Sequence, residues 1–220
     1  MHPYPSLPPI VLASASPRRS ALFSLFGLPF AVVPSGVEEL LPRGADGAEA
    51  SMSLATAKGE EVYTRLREER PDAIVLAFDT LVELEGRIFG KPADEEEART
   101  MLRALSGRAH VVYTGYAVFS PRGRNVGYER TVVRFRPLAE EEISAYLATE
   151  EPFGKAGAYA AQGQGGIFVE GVEGDFANVV GLPLSRVALV LRALGIHPLP
   201  WGPPHVPVPP EELGLFRKEP

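Results

Sequence analysis

The chain of 220 residues contains no cysteine, which excludes disulfide bonds, thiolate nucleophiles and zinc sites built on cysteine. Its four histidines are scattered, so we expect neither a histidine metal centre nor a histidine-based catalytic triad. No apolar run is long enough to cross a membrane. The N-terminus has neither a basic start nor a continuous apolar core, so we expect no signal peptide and a cytoplasmic location. The GxxxxGK[ST], HExxH and GxSxG motifs are also missing.

An excess of positive charge is lacking as well. The formal net charge is −6, which argues against binding to a nucleic-acid polymer, because that binding depends on Lys and Arg neutralising phosphates. A small polyanion held in a local basic pocket is compatible with the same composition.

Proline is plentiful but unevenly placed. Of 22 prolines, four fall within the first nine residues and eight lie between Pro198 and Pro220. Proline-rich segments sustain neither a helix nor a central strand. We therefore predict an N-terminal extension over 1–9, a single domain over 10–197 and a tail over 198–220. A surface strap packed on the body is an equally good interpretation of the tail, and Trp201 favours at least partial docking.

Between these ends, strand and helix patterns alternate. Short apolar runs predict strands at 10–13, 30–35, 73–80 and 167–170, a hairpin around Glu85–Gly86, and two long antiparallel strands around "SPRGRN". Apolar residues at helical spacing predict helices that start near 17, 48, 95 and 140, and a closing helix with Pro183 inside its start. The pattern is that of a mixed α/β chain with one sheet.

The segment "LASASPRRS" presents an electrostatic oddity. Ser16 and Pro17 are suited to the cap and first turn of a helix, yet Arg18 and Arg19 follow at the end where the helix dipole disfavours cations. An anion at that point would explain them, since the amides of residues 16–19 should converge there and the guanidinium groups would add charge-assisted hydrogen bonds. Two solvated arginines are the plain alternative.

Other polar residues also follow predicted strands. Asp79 comes directly after an apolar run, at what we predict to be the carboxyl end of a strand, where functional groups of α/β sheets gather. Glu38–Glu39 follow another strand and could offer carboxylates to Mg²⁺. Separated cations are present at Lys58, Lys91 and Lys155. The glycine cluster at 162–166 is more typical of a tight connection than of a phosphate cradle. Together they predict a metal-dependent site for a phosphorylated small molecule.

Six stretches carry a resemblance that spans about residues 10–195: "LASASPRR", "FAVVPSGVEE", "LATAKGEE", "AFDTLVELEGRIFGKPADEEEARTMLRALSGRAHVVYTG", "EPFGKAGAYAAQG" and "VEGDFANVVGLPLS". In this order they resemble the Maf family of nucleoside triphosphate pyrophosphatases. The resemblance implies hydrolysis of a nucleoside triphosphate to the monophosphate and pyrophosphate, with Mg²⁺, Mn²⁺ or Co²⁺ as cofactor. It also implies a long mixed, twisted sheet flanked by helices, two lobes around a cleft, and a homodimer.

The resemblance also assigns roles. Asp79 matches the proton acceptor, and Glu39 and Asp79 match the metal side. Arg18, Thr80 and Gln162 match the positions that select the substrate in the branch acting on dTTP and UTP. The remaining matches are substrate-binding positions, namely Ser14, Ser16, Arg19, Lys58 and Lys91. Phe78, Gly36 and Gly59 depart from the family pattern; Phe78 bears on pocket size, and Gly36 leaves open whether Glu38 or Glu39 faces the metal.

Two rival interpretations remain at this point. One is another activity of the same class, on 7-methyl-GTP or on CTP and modified uridine triphosphates. The 7-methyl-GTP branch typically has an aromatic residue in place of Arg18, DQ in place of Asp79–Thr80, and E-G in place of Gln162–Gly163, and none of these is present. The other rival is a non-enzymatic, nucleotide-binding regulator of cell division.

Overall fold

A computed structural model describes residues 7–198, 207–213 and 215. Its sheet has seven strands: β1 (Ile10–Leu12), β2 (Ala31–Val32), β3 (Ile74–Leu84), β4 (Arg87–Phe89), β5 (Ala109–Ser120), β6 (Gly123–Phe135) and β7 (Val169–Glu173). The order is β2-β1-β3-β5-β6-β7, and β4 also pairs with β3. Among these seven strands, β1 pairs in parallel with both β2 and β3, and the other strand pairs are antiparallel. The predicted mixed sheet is confirmed.

Six helices flank this sheet in the described part of the chain: α1 (Pro17–Ser24), α2 (Gly47–Leu66), α3 (Glu95–Leu105), α4 (Glu140–Leu147), α5 (Phe176–Val180) and α6 (Leu184–Ala193). Helices α1 and α6 share an apolar cluster with one face of β1 and β3, whereas α2 packs on the opposite face. A separate apolar cluster joins α3 and α4 to β4, β5 and β6. The fold therefore has cores at both ends of one sheet, with a cleft between them.

The predicted start of α1 is confirmed at atomic detail. Ser16 is the N-cap, its hydroxyl accepts a hydrogen bond from the Arg19 amide, and Pro17 is the first helical residue. Serine and proline suit these positions because one accepts an amide hydrogen that the helix leaves unpaired and the other lacks an N–H. The adverse position of Arg18 and Arg19 is therefore real, because both lie in the first turn.

The prediction that Asp79 ends a strand is wrong. β3 continues to Leu84 and pairs with β5 without interruption from Val75 to Glu83, so Asp79 lies in the middle of a strand. The shorter neighbour β1 ends at Leu12, which is opposite Leu76. Along the edge of β3 that faces β1, the residues between Leu76 and Val82 have no strand partner, and β4 pairs with β3 from Val82 onward. Polar residues thus occur where a neighbouring strand stops.

Helix α2 approaches the sheet very closely. A Cβ placed on Gly115 of β5 would lie 2.2 Å from the carbonyl carbon of Ser51, and one on Gly59 would lie 2.6 Å from the Phe119 ring. These glycines let a helix backbone and an aromatic ring occupy space that a methyl group would take. A side chain at position 59 would therefore require the Phe119 ring to move.

Other differences from the sequence predictions are small. The five-residue helix α5 was not predicted, β7 begins at 169, and Pro183 is the residue before α6. In the predicted tail, Leu215 is fully buried and the Val208 amide donates to the Phe30 carbonyl, so these residues pack on the body as a strap would. Trp201 lies outside the described residues, and the domain boundaries stay a prediction.

Candidate active site

A cavity of about 870 Å³ opens where β3 lacks a strand partner. Its lining comes from the β1–α1 loop, the loop before α2, β3, and the segment 151–162 on the other side of the cleft. The structure brings every sequence-predicted site residue to this one lining: Ser14, Ser16, Arg18, Arg19, Glu39, Lys58, Asp79, Thr80, Lys91 and Gln162. Phe78 is buried in the core and does not line it, so the expectation that it bears on pocket size is wrong.

The polar floor of the cavity is a chain of ion pairs. The buried Lys58 ammonium donates to Asp79 Oδ1 at 2.5 Å and to Glu39 Oε1 at 2.7 Å. Lys91 donates to the other Glu39 oxygen at 2.6 Å. Lys58 is on the face of α2 that packs on β3, which explains how a residue 21 positions before Asp79 reaches it. Glu39 lines the cavity, whereas Glu38 is exposed and does not.

The two carboxylates differ in environment. Burial raises the pKa of Asp79 above its ordinary value, although the charges of Lys58 and Arg19 oppose this rise. Burial alone would also raise the pKa of Glu39, but the hydrogen bonds from Lys58 and Lys91 outweigh it and lower the pKa to about 2. Such a difference between the pKa values of two neighbouring carboxylates is typical of sites where one group transfers a proton and the other stays ionised.

Arg19 is held by three elements at once. Its Nε donates to the Gly181 carbonyl at 2.8 Å, Nη2 donates to Thr80 Oγ1 at 3.0 Å, and Nη1 lies 3.4 Å from Ser14 Oγ. Gly181 ends α5 with φ of +119°, a conformation that favours glycine. These contacts fix the orientation of the guanidinium at the cavity wall. Burial lowers the pKa of Arg19.

Thr80 continues this network into the sheet. Its hydroxyl lies 2.9 Å from the hydroxyl of Thr114, and Thr114 donates to the Asn178 carbonyl at 2.9 Å. Thr114 is fully buried on β5, directly opposite Thr80 on β3. Asn178, also fully buried, donates its own amide to the Val112 carbonyl and to Thr131. Sequence reasoning identified Thr80 but neither Thr114 nor Asn178, because these contacts span 34 and 64 residues.

Glu151 lines the cavity and was also missed by sequence reasoning. Its carboxylate accepts hydrogen bonds from the amides of Gln164 and Gly165 and from the Tyr146 hydroxyl. The two amide bonds hold the glycine-rich segment that follows Gln162, and the bond from Tyr146 orients the carboxylate. Burial alone would raise the pKa of Glu151, but the Gly165 and Gln164 amides outweigh it and lower the pKa. A glutamate opening the "EPFGKAG" stretch was the signal available, but the amides that it holds lie 13 and 14 residues away.

The backbone contribution at the start of α1 is smaller than predicted. The Ser16 amide donates to Ser14 Oγ at 3.2 Å, the Arg19 amide donates to Ser16 Oγ at 3.5 Å, and Pro17 has no N–H. The convergent amide cradle expected over residues 16–19 is therefore largely occupied. Attraction for an anion rests on the side chains instead. The lining has five basic residues (Arg18, Arg19, Lys58, Lys91, Lys155) against three acidic ones (Glu39, Asp79, Glu151).

The donor set is compatible with one divalent cation of the Mg²⁺ type. Asp79 and Glu39 both contact the same ammonium group, so their oxygens lie close together. Mg²⁺ is commonly held by one or two carboxylates together with substrate phosphates and water. In the described part of the chain no group of three or more His, Cys, Asp or Glu side chains is placed to hold a metal. Substrate oxygens would therefore have to supply ligands.

A family model described as "Maf-like protein" matches residues 9–194. The chain belongs to this family. Over 188 residues it is 47% identical to a protein of Caldicellulosiruptor bescii named dTTP/UTP pyrophosphatase, which covers 84% of this chain and 94% of the relative. A Bacillus cereus protein of the same name is 48% identical over 187 residues, 85% of this chain and 90% of the relative.

Solved structures similar to this chain include one from another bacterium. The Staphylococcus aureus Ham1 protein aligns with a TM-score of 0.41 and 19% identity, over 58% of this chain and 71% of that one. Within the described residues of this Maf-family chain, no helix combines the length and apolarity that crossing a membrane requires.

Proposed function

We propose that this Maf-family chain hydrolyses dTTP and UTP to the monophosphate and pyrophosphate and thereby clears these or modified pyrimidine triphosphates from the nucleotide pool. The main structural support is the buried Asp79, which Lys58 holds at the floor of a cavity that is lined by more basic than acidic side chains. The names of relatives that cover most of both chains support the choice of substrate.

The basic side chains account for binding of the triphosphate. Arg18, Arg19, Lys91 and Lys155 line the cavity from both sides of the cleft. They offset the negative charge that otherwise repels an attacking nucleophile, which is where catalysis of phosphoryl transfer gains most. The fixed guanidinium of Arg19 suits it for clamping phosphate oxygens, because its orientation costs no further ordering on binding.

Asp79 acts as the base that orients the attacking water and takes its proton. Burial raises the pKa of Asp79, and a carboxylate with a raised pKa is a stronger base than an ordinary one. Lys58 holds the Asp79 carboxylate in place by donating to Oδ1, which leaves the second oxygen for the water.

Asp79 and Glu39 would hold a divalent cation, with Mg²⁺ as the expected ion and Mn²⁺ or Co²⁺ as alternatives. When bound, such an ion polarises the phosphate and withdraws charge from the reaction centre. Glu39 stays ionised at neutral pH because its pKa is about 2, so it is ready to bind a cation.

Thr80 and Gln162 provide hydrogen-bonding groups for the pyrimidine base of the nucleotide, and an apolar part of the lining can pack on the pyrimidine ring. The apolar lining includes Val112, Tyr159, Val179 and Val180. A site that pairs specific polar groups rejects bases that leave them unsatisfied.

The test is pyrophosphate release from dTTP, UTP, CTP, ATP, GTP and 7-methyl-GTP with Mg²⁺, Mn²⁺ and Co²⁺ in turn. We expect dTTP and UTP to be strongly preferred over the purine triphosphates, and no activity in EDTA. Activity confined to 7-methyl-GTP, or tight nucleotide binding without hydrolysis, would overturn the proposal.

Asp79→Asn tests the role of the base. We expect kcat for dTTP to fall at least about 100-fold while the fold is retained, because the amide has nearly the same shape but cannot accept a proton. Asp72→Asn makes the same chemical change at an exposed position and should retain wild-type kcat. Undiminished pyrophosphate release by Asp79→Asn would refute the assignment.

We also propose that the protein acts as a homodimer in the cytoplasm, as the family resemblance implies. Light scattering coupled to size-exclusion chromatography tests the assembly. A mass near 24 kDa, the mass of one chain, at micromolar concentration would contradict it.

A further inference from the structure

The hydrogen bonds around Thr80 determine where its proton points. A threonine hydroxyl has one hydrogen to donate and two lone pairs to accept with. Thr114 must donate its only hydrogen to the Asn178 carbonyl, since a carbonyl oxygen can only accept. In the contact between the two hydroxyls, Thr80 is therefore the donor and Thr114 the acceptor.

The other neighbour of Thr80 is also fixed in its role. Arg19 Nη2 can only donate, so Thr80 Oγ1 accepts from it. The Thr80 hydroxyl has thus given its hydrogen to Thr114 and one lone pair to Arg19. What it retains for a ligand in the cavity is a single lone pair, so Thr80 presents an acceptor and no donor.

This order of protons distinguishes two classes of pyrimidine. Uracil and thymine carry a hydrogen on N3, which is a donor, whereas N3 of cytosine is a bare lone pair. An acceptor held in the cavity attracts the first class and repels the second. Gln162 cannot make this distinction on its own, because its side-chain amide carries both a donor and an acceptor.

We propose that Thr114 is a positioning residue for base selection: by taking the proton of Thr80, it leaves Thr80 with only an acceptor for the base and so favours dTTP and UTP over CTP. Thr114 is fully buried, so it acts through Thr80 without touching the substrate. The inference rests on the proposed function, because it assumes that the base lies against Thr80.

The experiment compares Thr114→Val and Thr114→Ser with the wild type. Valine keeps the shape of threonine but removes the acceptor, which frees the Thr80 proton to turn toward the cavity and donate to N3 of cytosine. Serine restores the hydroxyl. The readout is the ratio of kcat/KM for UTP to kcat/KM for CTP, measured by pyrophosphate release. Because the two substrates share ribose and triphosphate, a general disturbance of the site cancels in this ratio.

We expect Thr114→Val to lower the ratio about tenfold, the equivalent of one hydrogen bond, and Thr114→Ser to keep the wild-type ratio. In a Thr80→Val background, Thr114→Val should leave the ratio unchanged, since no Thr80 proton remains to be directed. If Thr114→Val does not fold, Thr114→Cys serves in its place, because a thiol is a weak acceptor and should give an intermediate ratio.

Failure of the inference and failure of the proposed function give different results. A wild type that hydrolyses neither dTTP nor UTP overturns both. A wild type that prefers UTP to CTP, with a folded Thr114→Val that keeps the same ratio, overturns the inference alone. So does a Thr114→Val variant whose effect persists undiminished in the Thr80→Val background.

Discussion

His110 should make the stability of this protein depend on pH between neutrality and about pH 5. The side chain is 1% exposed on β5, and its Nε2 lies 2.8 Å from the Tyr159 hydroxyl. The ring packs edge-on against Phe135 and Tyr159, and Nδ1 has no hydrogen-bond partner among the described residues. Burial lowers the pKa of His110 from 6.5 to about 4. A buried neutral imidazole must therefore be charged when the chain unfolds in acid.

Proton linkage gives the direction and the size of the effect of His110 on the free energy of unfolding. Because the pKa is lower in the folded state, the unfolded chain binds the proton first as the pH falls. Stability is then complete above pH 6.5 and is lost progressively as the pH falls toward 4. The whole difference corresponds to about 3 kcal/mol, and the part lost between pH 7 and pH 5 is about 2 kcal/mol of unfolding free energy.

The assay is urea unfolding at pH 7.0, 6.0 and 5.0, comparing the wild type with His110→Gln. Glutamine can still bond to the Tyr159 hydroxyl but does not titrate, so its unfolding free energy should fall about 2 kcal/mol less than that of the wild type. His197→Gln, at an exposed position, should retain the wild-type dependence. Equal losses of stability in the wild type and His110→Gln would refute the reasoning.

Two further variants test the loop contacts and the packing. Glu151→Gln should raise KM for dTTP about fivefold or more with little change in kcat, since a glutamine side chain cannot accept all three hydrogen bonds that Glu151 accepts, two of which come from the glycine-rich segment. Steady-state kinetics measures both constants, with the exposed Glu141→Gln as the control. A Glu151→Gln variant that matches this control would contradict the expectation. Gly115→Ala should destabilise the fold by about 3 kcal/mol or more, because its Cβ would lie 2.2 Å from Ser51 backbone. Gly171→Ala, with open space around it, is the control, and equal melting temperatures would be the contrary result.

Local patterns in the sequence predict most of the elements. The serine–proline start of α1 and the Asp94 cap of α3 were predictable because the residues that satisfy helix ends lie within three positions of their partners. The hairpin at Glu85–Gly86 was predictable for the same reason, since both residues adopt positive φ in the turn. Helix α5 was missed because five residues, three of them branched or aromatic, give no helical period.

The candidate site was predictable as a set of residues but not as an arrangement. Long motifs identified the predicted site residues, and all of these lie in the lining. Asp79 was nevertheless placed at a strand end, because the sequence does not reveal that β1 stops before β3 does. The hydroxyl of Thr114 and the carboxylate of Glu151 gained roles only through partners far along the chain. Strand register and loop closure are properties of the folded chain, and no window of sequence contains them.

The position of Asp79 in the middle of β3 means that it is held differently from the site residues that lie in loops. Its backbone belongs to a ladder of paired residues from Val75 to Glu83, so it moves only when the sheet itself opens. Glu39 and Gln162 lie in exposed segments outside the sheet. Asp79 is therefore held by the backbone of the sheet, whereas Glu39 and Gln162 are placed by loops, which open at a lower free-energy cost than a central strand does.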